Sequence, residues 1–134
     1  MTSTTRTDSD AVRAGFEAVA AGDLAAFAAI FHPAATWNHR NPDSLGGVHD
    51  GVEAILAFLG SSMELTAGTL QPIPQLFMGD GAGHVSVLTT IRATRPDGRV
   101  LDDTQVLYFV LEDGLVSSVD QYIGDPPAVT AFWA

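Results

Sequence analysis

Four strand-like segments in the C-terminal half alternate with short glycine-rich turns, and this regular spacing most constrains the fold. The segments span residues 70–78, 84–94, 100–111 and 116–123, with GDGAG, RPDGR and EDG between them. Aspartate and glycine are the residues that tight hairpin turns favour, and β-branched and aromatic residues dominate the segments. The pattern predicts four consecutive antiparallel strands.

The N-terminal half has helical periodicity instead. Residues 11–21 and 24–31 each carry an apolar stripe, and AGDL between them supplies a helix-ending glycine and a capping aspartate. Residues 35–39 predict a short strand, and a third helix is predicted after a cap at Asp50. The predicted order is α-α-β-α-β-β-β-β. We therefore expect an α+β fold, with a bent antiparallel sheet that holds the helices on one face and leaves a conical cavity.

The composition restricts the partners and the chemistry. The chain has 134 residues, of which 46% are hydrophobic and 16% charged, which is typical of a single globular domain. A net charge of −10 argues against nucleic acid and against a membrane surface as partners. The sequence has no cysteine and no lysine, which excludes thiolate chemistry, Schiff bases and a lysine-ended phosphate loop.

The organisation of the chain is simple. We expect residues 1–8 to form a flexible tail and residues 9–134 to form one domain. The N-terminus lacks the apolar segment of a secretory signal, and no apolar run is long enough to span a bilayer. A cytoplasmic protein is therefore expected.

Three stretches of the sequence are AGDLAAFAAIFHPAATW, HDGVEAILAFL and DDTQVLYFVLEDGLVSSVDQY. They resemble the SnoaL-like branch of the nuclear transport factor 2 and ketosteroid isomerase superfamily, and the resemblance covers residues 9–134. It implies a cone-shaped, strongly bent antiparallel sheet wrapped around three N-terminal helices, and commonly a homodimer. This fold carries isomerases, cyclases, epoxide hydrolases, dehydratases and proteins without catalysis, so the chemistry depends on individual residues.

The resemblance makes His39 the first candidate catalytic residue. It occupies the strand position at which ketosteroid isomerases carry their proton-shuttling aspartate, and an imidazole can also transfer protons at neutral pH. The two oxyanion-hole positions of those isomerases fall on Gly15 and near Val106, which offer no side-chain donor. Steroid isomerisation by that mechanism is therefore not expected.

The second candidate catalytic residue is Gln121. It occupies the position of the essential aspartate that polyketide cyclases and limonene epoxide hydrolases carry on the last strand. Glutamine cannot take up a proton at neutral pH, but it can orient a water or polarise a carbonyl. The epoxide hydrolase Arg and Asp positions fall on Ile91 and Ala93, so that catalytic set is missing. If Gln121 faces inward, Asp120 faces outward, and a register slip of one residue would exchange them.

Strand alternation and the resemblance together predict the ligand-contacting wall. Trp37 is expected as a wall aromatic, His49 at the mouth, and Tyr108 as a group that orients polar atoms of the ligand. The predicted ligand-binding residues are Trp37, His49, Tyr108, Val87, Thr89, Ile91 and Val119. His39 and His49 with Asp43 or Asp50 match no metal-site spacing, so no metal site is expected.

The segment 100–111 is apolar on both faces and therefore needs cover on both faces, which predicts a homodimer. The leading functional hypothesis is cofactor-free acid/base chemistry on a hydrophobic, carbonyl-bearing, polyketide-like molecule, with isomerisation, cyclisation or dehydration left open. The alternative is a homodimer that binds a small molecule without catalysis. A third possibility is a structural dimer whose pocket is filled by its own side chains.

Overall fold

The computed structural model describes residues 7–134, and this range folds into four helices and six strands. In chain order they are α1 (Asp8–Ala21), α2 (Leu24–Ala28), β1 (Phe31–His39), β2 (Gly47–Asp50), α3 (Val52–Leu65), β3 (Gln71–Gly79), β4 (His84–Thr94), β5 (Val100–Glu112), β6 (Leu115–Tyr122) and α4 (Pro126–Trp133). The predicted α+β class is confirmed, with two additional short elements, β2 and α4.

All six strands form one curved sheet in the order β2-β1-β6-β5-β4-β3. Strands β3 to β6 are consecutive antiparallel neighbours, as the turn sequences predicted. The expectation of a wholly antiparallel sheet is wrong at one place, because β1 pairs with β6 in parallel. No hairpin joins these two strands, so their directions are free to match.

Several boundaries differ from the predicted ones. Helix α2 ends at Ala28, and the chain is already in β1 at Phe31. Pro33 does not interrupt β1, because it lies in an irregular part of the ladder where a missing N–H costs no sheet bond. Gly51, and not Asp50, is the N-cap of α3, since Asp50 is paired with Thr36 in β2.

The start of the described chain is well fixed. Thr7 caps α1, and the side chain of Asp10 hydrogen-bonds back to the N–H of Thr7. The carboxylate of Asp8 accepts a hydrogen bond from the N–H of Gly83 at 3.1 Å. The expected flexible tail of residues 1–8 therefore does not reach Asp8, which is the first residue of α1. Residues 1–6 of that tail lie outside the described residues.

The core lies between the inner face of the sheet and the helices. Helices α1, α2 and α3 cover one part of it, and α4 packs against β5 at the other end. Buried side chains alternate along β4 and β5, so one face of each strand points into this core. Within residues 7–134, no helix combines the length and apolar character that crossing a membrane requires.

Candidate active site

A cavity of about 80 Å³ lies between the helices and the inner face of the sheet. It is between two and three times the ~30 Å³ share of one water and smaller than the ~300 Å³ of a typical drug-sized pocket. Its wall is mostly apolar, and the side chains in it that carry a polar group are Trp37, His39, Ser62, Gln105, Gln121 and Trp133. Among the described residues, no aspartate, glutamate or arginine lines it. The cavity therefore suits a small, largely apolar molecule.

His39 lines this cavity from the last position of β1. The residue is only 2% exposed. Its Nδ1 lies 3.1 Å from Oε1 of Gln121, and its Nε2 lies 2.8 Å from Oδ2 of Asp43. Both ring nitrogens are thus engaged by protein groups.

A chain of hydrogen bonds with a fixed direction crosses the cavity floor. Asp103 can only accept, so Gln105 turns its amide nitrogen toward it at 3.0 Å and its oxygen toward Gln121. Gln121 donates to that oxygen at 2.7 Å, which leaves its own Oε1 facing Trp37 and His39. The indole N–H of Trp37 can only donate, and it does so to this Oε1 at 2.9 Å. Asp103 at one end of this series of hydrogen bonds and Trp37 at the other therefore require the same orientation of the Gln121 amide.

This direction places an acceptor beside the Nδ1 of His39. Since Oε1 of Gln121 can only accept, a hydrogen bond between the two atoms requires Nδ1 to donate. The Nε2 faces the carboxylate of Asp43, and an ionised carboxylate also only accepts. Both ring nitrogens of His39 therefore face oxygens that accept hydrogen bonds.

Asp43 is held by donors on every side. Its side chain is fully enclosed, and it accepts hydrogen bonds from Asn41 and from the N–H of Leu45 as well as from His39. The loop that carries it is tight, since a Cβ at Gly46 would lie 2.0 Å from the carbonyl oxygen of Asn41. Burial acts to raise the pKa of Asp43, but the hydrogen bonds and the charge of His39 outweigh it, and the pKa is lowered from 3.8.

The family of the chain follows from comparison with known proteins. The SnoaL-like domain matches residues 12–119, which is most of the sequence. This chain belongs to the SnoaL-like domain family. An uncharacterized protein of Mycobacterium tuberculosis is 31% identical to this SnoaL-like domain over 127 residues, or 95% of this chain and 96% of the relative.

Solved structures confirm the nuclear transport factor 2-like fold of the SnoaL-like domain. Bal32a, from a soil-derived mobile gene cassette, is 27% identical with a TM-score of 0.91, covering 95% of this chain and 96% of that one. An NTF2-like protein of unknown function from Burkholderia pseudomallei is 24% identical with a TM-score of 0.85, covering 98% and 99%. A proposed polyketide cyclase from Sinorhizobium meliloti is 22% identical with a TM-score of 0.70, covering 84% and 93%.

Only some of the other residues that were predicted to contact a ligand line the cavity. Trp37 and Ile91 line it. Val87, Thr89 and Val119 share the inner face with Ile91 but are fully packed, and none of them borders the cavity. Inward orientation alone therefore does not bring a side chain to the cavity.

Two predicted contacts lie elsewhere. Tyr108 is on the outer face of β5, because it alternates with the buried Leu107, and its ring stacks on His84. His49 donates from Nε2 to the carbonyl of Leu45 and stacks on Phe58 at 4.3 Å, so it stands behind the cavity wall. The expectation that these two residues border the cavity is not met.

Gln121 lies on the inner face of β6 and lines the cavity. Gln121 is buried, while Asp120 points to the outer face and forms an ion pair with Arg40 at 2.8 Å. The sequence interpretation overlooked Gln105. Strand alternation was the available signal, since Gln105 and Asp103 have the same parity as the buried Leu107.

The described residues contain no group of three or more His, Cys, Asp or Glu side chains that could hold a metal ion. His39 and Asp43 are in contact, but His49 turns to a backbone carbonyl instead.

The lowered pKa of Asp43 predicts a specific pH dependence of stability. A carboxylate whose pKa is lower in the folded state stabilises the fold above its unfolded value of 3.8, and this contribution disappears as the pH falls through the folded value. We expect the urea midpoint of the wild type to fall more steeply from about pH 5 to about pH 3 than that of Asp43→Asn. Parallel profiles of the two proteins would contradict the ion pair.

Proposed function

We propose that this SnoaL-like domain acts on a small, hydrophobic, carbonyl-bearing molecule by cofactor-free acid catalysis, with His39 as the acid. The single observation that carries the proposal is a histidine that is only 2% exposed in an apolar cavity and whose two ring nitrogens each face an acceptor oxygen. A buried imidazole that donates to a ligand oxygen in such surroundings makes a strong hydrogen bond.

The proposed chemistry needs only His39 and Asp43. The Nδ1–H of His39 donates to the ligand oxygen as negative charge develops there, and transfers its proton if the oxygen becomes basic enough. The imidazole then remains hydrogen-bonded to Asp43 through Nε2–H, and its free Nδ1 lone pair can take a proton back from carbon or oxygen. One proton leaves and one returns, which fits isomerisation, cyclisation or dehydration. The apolar wall supplies orientation and excludes water.

The size of the cavity restricts the substrate class. About 80 Å³ suits one ring or a short chain better than a fused polyketide. The proposed polyketide cyclase among the structural neighbours accords with a small-molecule ligand, although at 22% identity it supports the fold alone. The substrate proposed here is therefore smaller than a fused-ring polyketide.

A second candidate is a binding protein without catalysis. It is favoured by the absence of aspartate and glutamate from the cavity wall within the described chain. It is also favoured by the protein groups that already engage both nitrogens of His39. In this case the same apolar cavity holds a ligand and releases it unchanged.

One experiment separates the two candidates. Monocyclic enones and 1,3-diketones are incubated with the protein in deuterated water, and proton NMR follows exchange at carbon and any new product. Catalysis predicts exchange or conversion above the buffer rate for at least one compound. Binding without catalysis predicts shifted protein resonances with every compound recovered unchanged.

We also propose that the outer sheet face forms a homodimer interface. One cross-strand row of apolar side chains runs over it, because Leu76 pairs with Leu88, Leu88 with Val106 and Val106 with Tyr122. Leu76 is 50% exposed and Tyr122 is 47% exposed. Leu88 and Val106, which lie between them, are half-buried. A continuous apolar row that reaches solvent is typical of an interface.

The dimer is tested by its mass in solution. We expect wild-type protein at about 10 μM to sediment as two chains, and Val106→Asp to sediment as one, because the carboxylate is desolvated at the interface. Leu24→Asp is the matched control, since Leu24 is 52% exposed on α2, away from the sheet. A wild-type mass of one chain would refute the proposal.

A further inference from the structure

Two N–H groups of the cavity converge on a single oxygen, and that oxygen belongs to the protein itself. Trp37 Nε1 lies 2.9 Å and His39 Nδ1 lies 3.1 Å from Oε1 of Gln121. All three side chains are buried and line the cavity. A carboxamide oxygen has two lone pairs, and here both are used by these two donors. Gln121 thus presents to them the same chemical group that a ligand carbonyl would present.

The two donors differ in what holds them. The Trp37 ring is fixed by aromatic neighbours, among them Phe58 at 5.8 Å and Phe109 at 6.3 Å. The His39 ring is fixed by Asp43 at its far nitrogen. Neither arrangement depends on Gln121, so both donors keep their direction if the Gln121 side chain turns away. This is the preorganisation that stabilises a developing negative charge.

We propose that Trp37 and His39 form a binding site for one ligand oxygen, and that Gln121 occupies this site in the ligand-free protein. The proposal rests on the proposed function for the identity of the ligand, and it specifies the ligand class further. The preferred ligand carries an anionic oxygen or one that becomes anionic, such as a phenolate or an enolate, because two donors converge on one point in apolar surroundings.

Gln121 accordingly competes with the ligand. To admit a ligand oxygen, Oε1 of Gln121 must move away from Trp37 and His39. The hydrogen bond from the Gln121 amide nitrogen to Gln105 can persist or break in this movement. The role of Gln121 is therefore that of a displaceable occupant, in contrast to the predicted role of a group that orients the ligand. Removing its amide should strengthen the binding of an anionic oxygen instead of weakening it.

The test uses two probes of nearly the same shape. Ionised 4-nitrophenol carries an anionic oxygen, and 4-nitrotoluene carries a methyl group in its place. The measured quantity is the ratio of their dissociation constants, obtained by titration of wild type, Gln121→Ala and Trp37→Phe. Because Gln121→Ala enlarges the cavity for both probes, the ratio cancels the gain in space.

We expect Gln121→Ala to shift the ratio in favour of the phenolate by about tenfold or more, and Trp37→Phe to shift it against the phenolate by about tenfold, since each change adds or removes a hydrogen bond to a charged oxygen. An unchanged ratio in either variant, or a shift against the phenolate in Gln121→Ala, would overturn the proposal. So would a failure of both probes to bind any of the three proteins.

The outcome is independent of turnover. If no compound is converted but the ratios shift as expected, the oxygen site stands and the catalytic proposal fails. If a substrate is converted but the ratios do not shift, the catalytic proposal stands and the assignment of the Trp37 and His39 oxygen site is wrong.

Discussion

Replacing His39 with glutamine is expected to lower kcat for the substrate found by NMR by about 10²–10⁴-fold, which is the usual contribution of a positioned acid. Glutamine at this position can still donate a hydrogen bond, but it cannot release a proton. Ligand binding, measured by titration, should therefore change much less than kcat. Steady-state kinetics of the two purified proteins provide the comparison.

The matched control is the neighbouring histidine of β2. His49→Gln changes the same residue type on the adjacent strand, but His49 donates to the carbonyl of Leu45 behind the cavity wall. We expect its kcat to stay within about threefold of the wild type. If His39→Gln also retains a kcat of that size, His39 does not act as the acid.

The fold was predictable wherever local sequence determines local structure. Turn sequences with glycine and aspartate defined β3 to β6 almost to the residue, because each hairpin is decided by adjacent positions. The parallel pairing of β1 with β6 was not predictable in this way, since it joins segments about eighty residues apart. Helix α4 was missed although DPP supplies a capping aspartate and prolines for its first turn.

The site was predictable in part. The resemblance placed His39 and Gln121 in the cavity, and strand alternation would have added Gln105. The pairing of His39 with Asp43 depends on the path of an irregular loop, which no periodicity describes. The orientation of the Gln105 and Gln121 amides depends on neighbours that can only accept or only donate a hydrogen bond. These neighbours meet the amides only in the folded structure, so the sequence does not give the orientation.

Replacing Asp43 with asparagine is expected to lower the free energy of unfolding by about 3–5 kcal/mol, the cost of removing one partner of a buried ion pair. The three groups that face this carboxylate, from His39, Asn41 and Leu45, all donate. An asparagine has a single acceptor oxygen, so one of them would face its NH₂ group. His39 would also lose the carboxylate that accepts from its Nε2, and an unpaired polar group is unfavourable in an apolar cavity.

The chain contains a matched control for this effect. His84 and Asp80 form a second pair with the same spacing of four residues, at 2.6 Å, but both side chains are nearly half exposed. Asp80→Asn should leave the free energy of unfolding nearly unchanged, because water solvates either partner when the other is lost. Urea denaturation at neutral pH measures both variants against the wild type. Equal losses in the two variants would show that burial of the His39–Asp43 pair contributes nothing specific to stability.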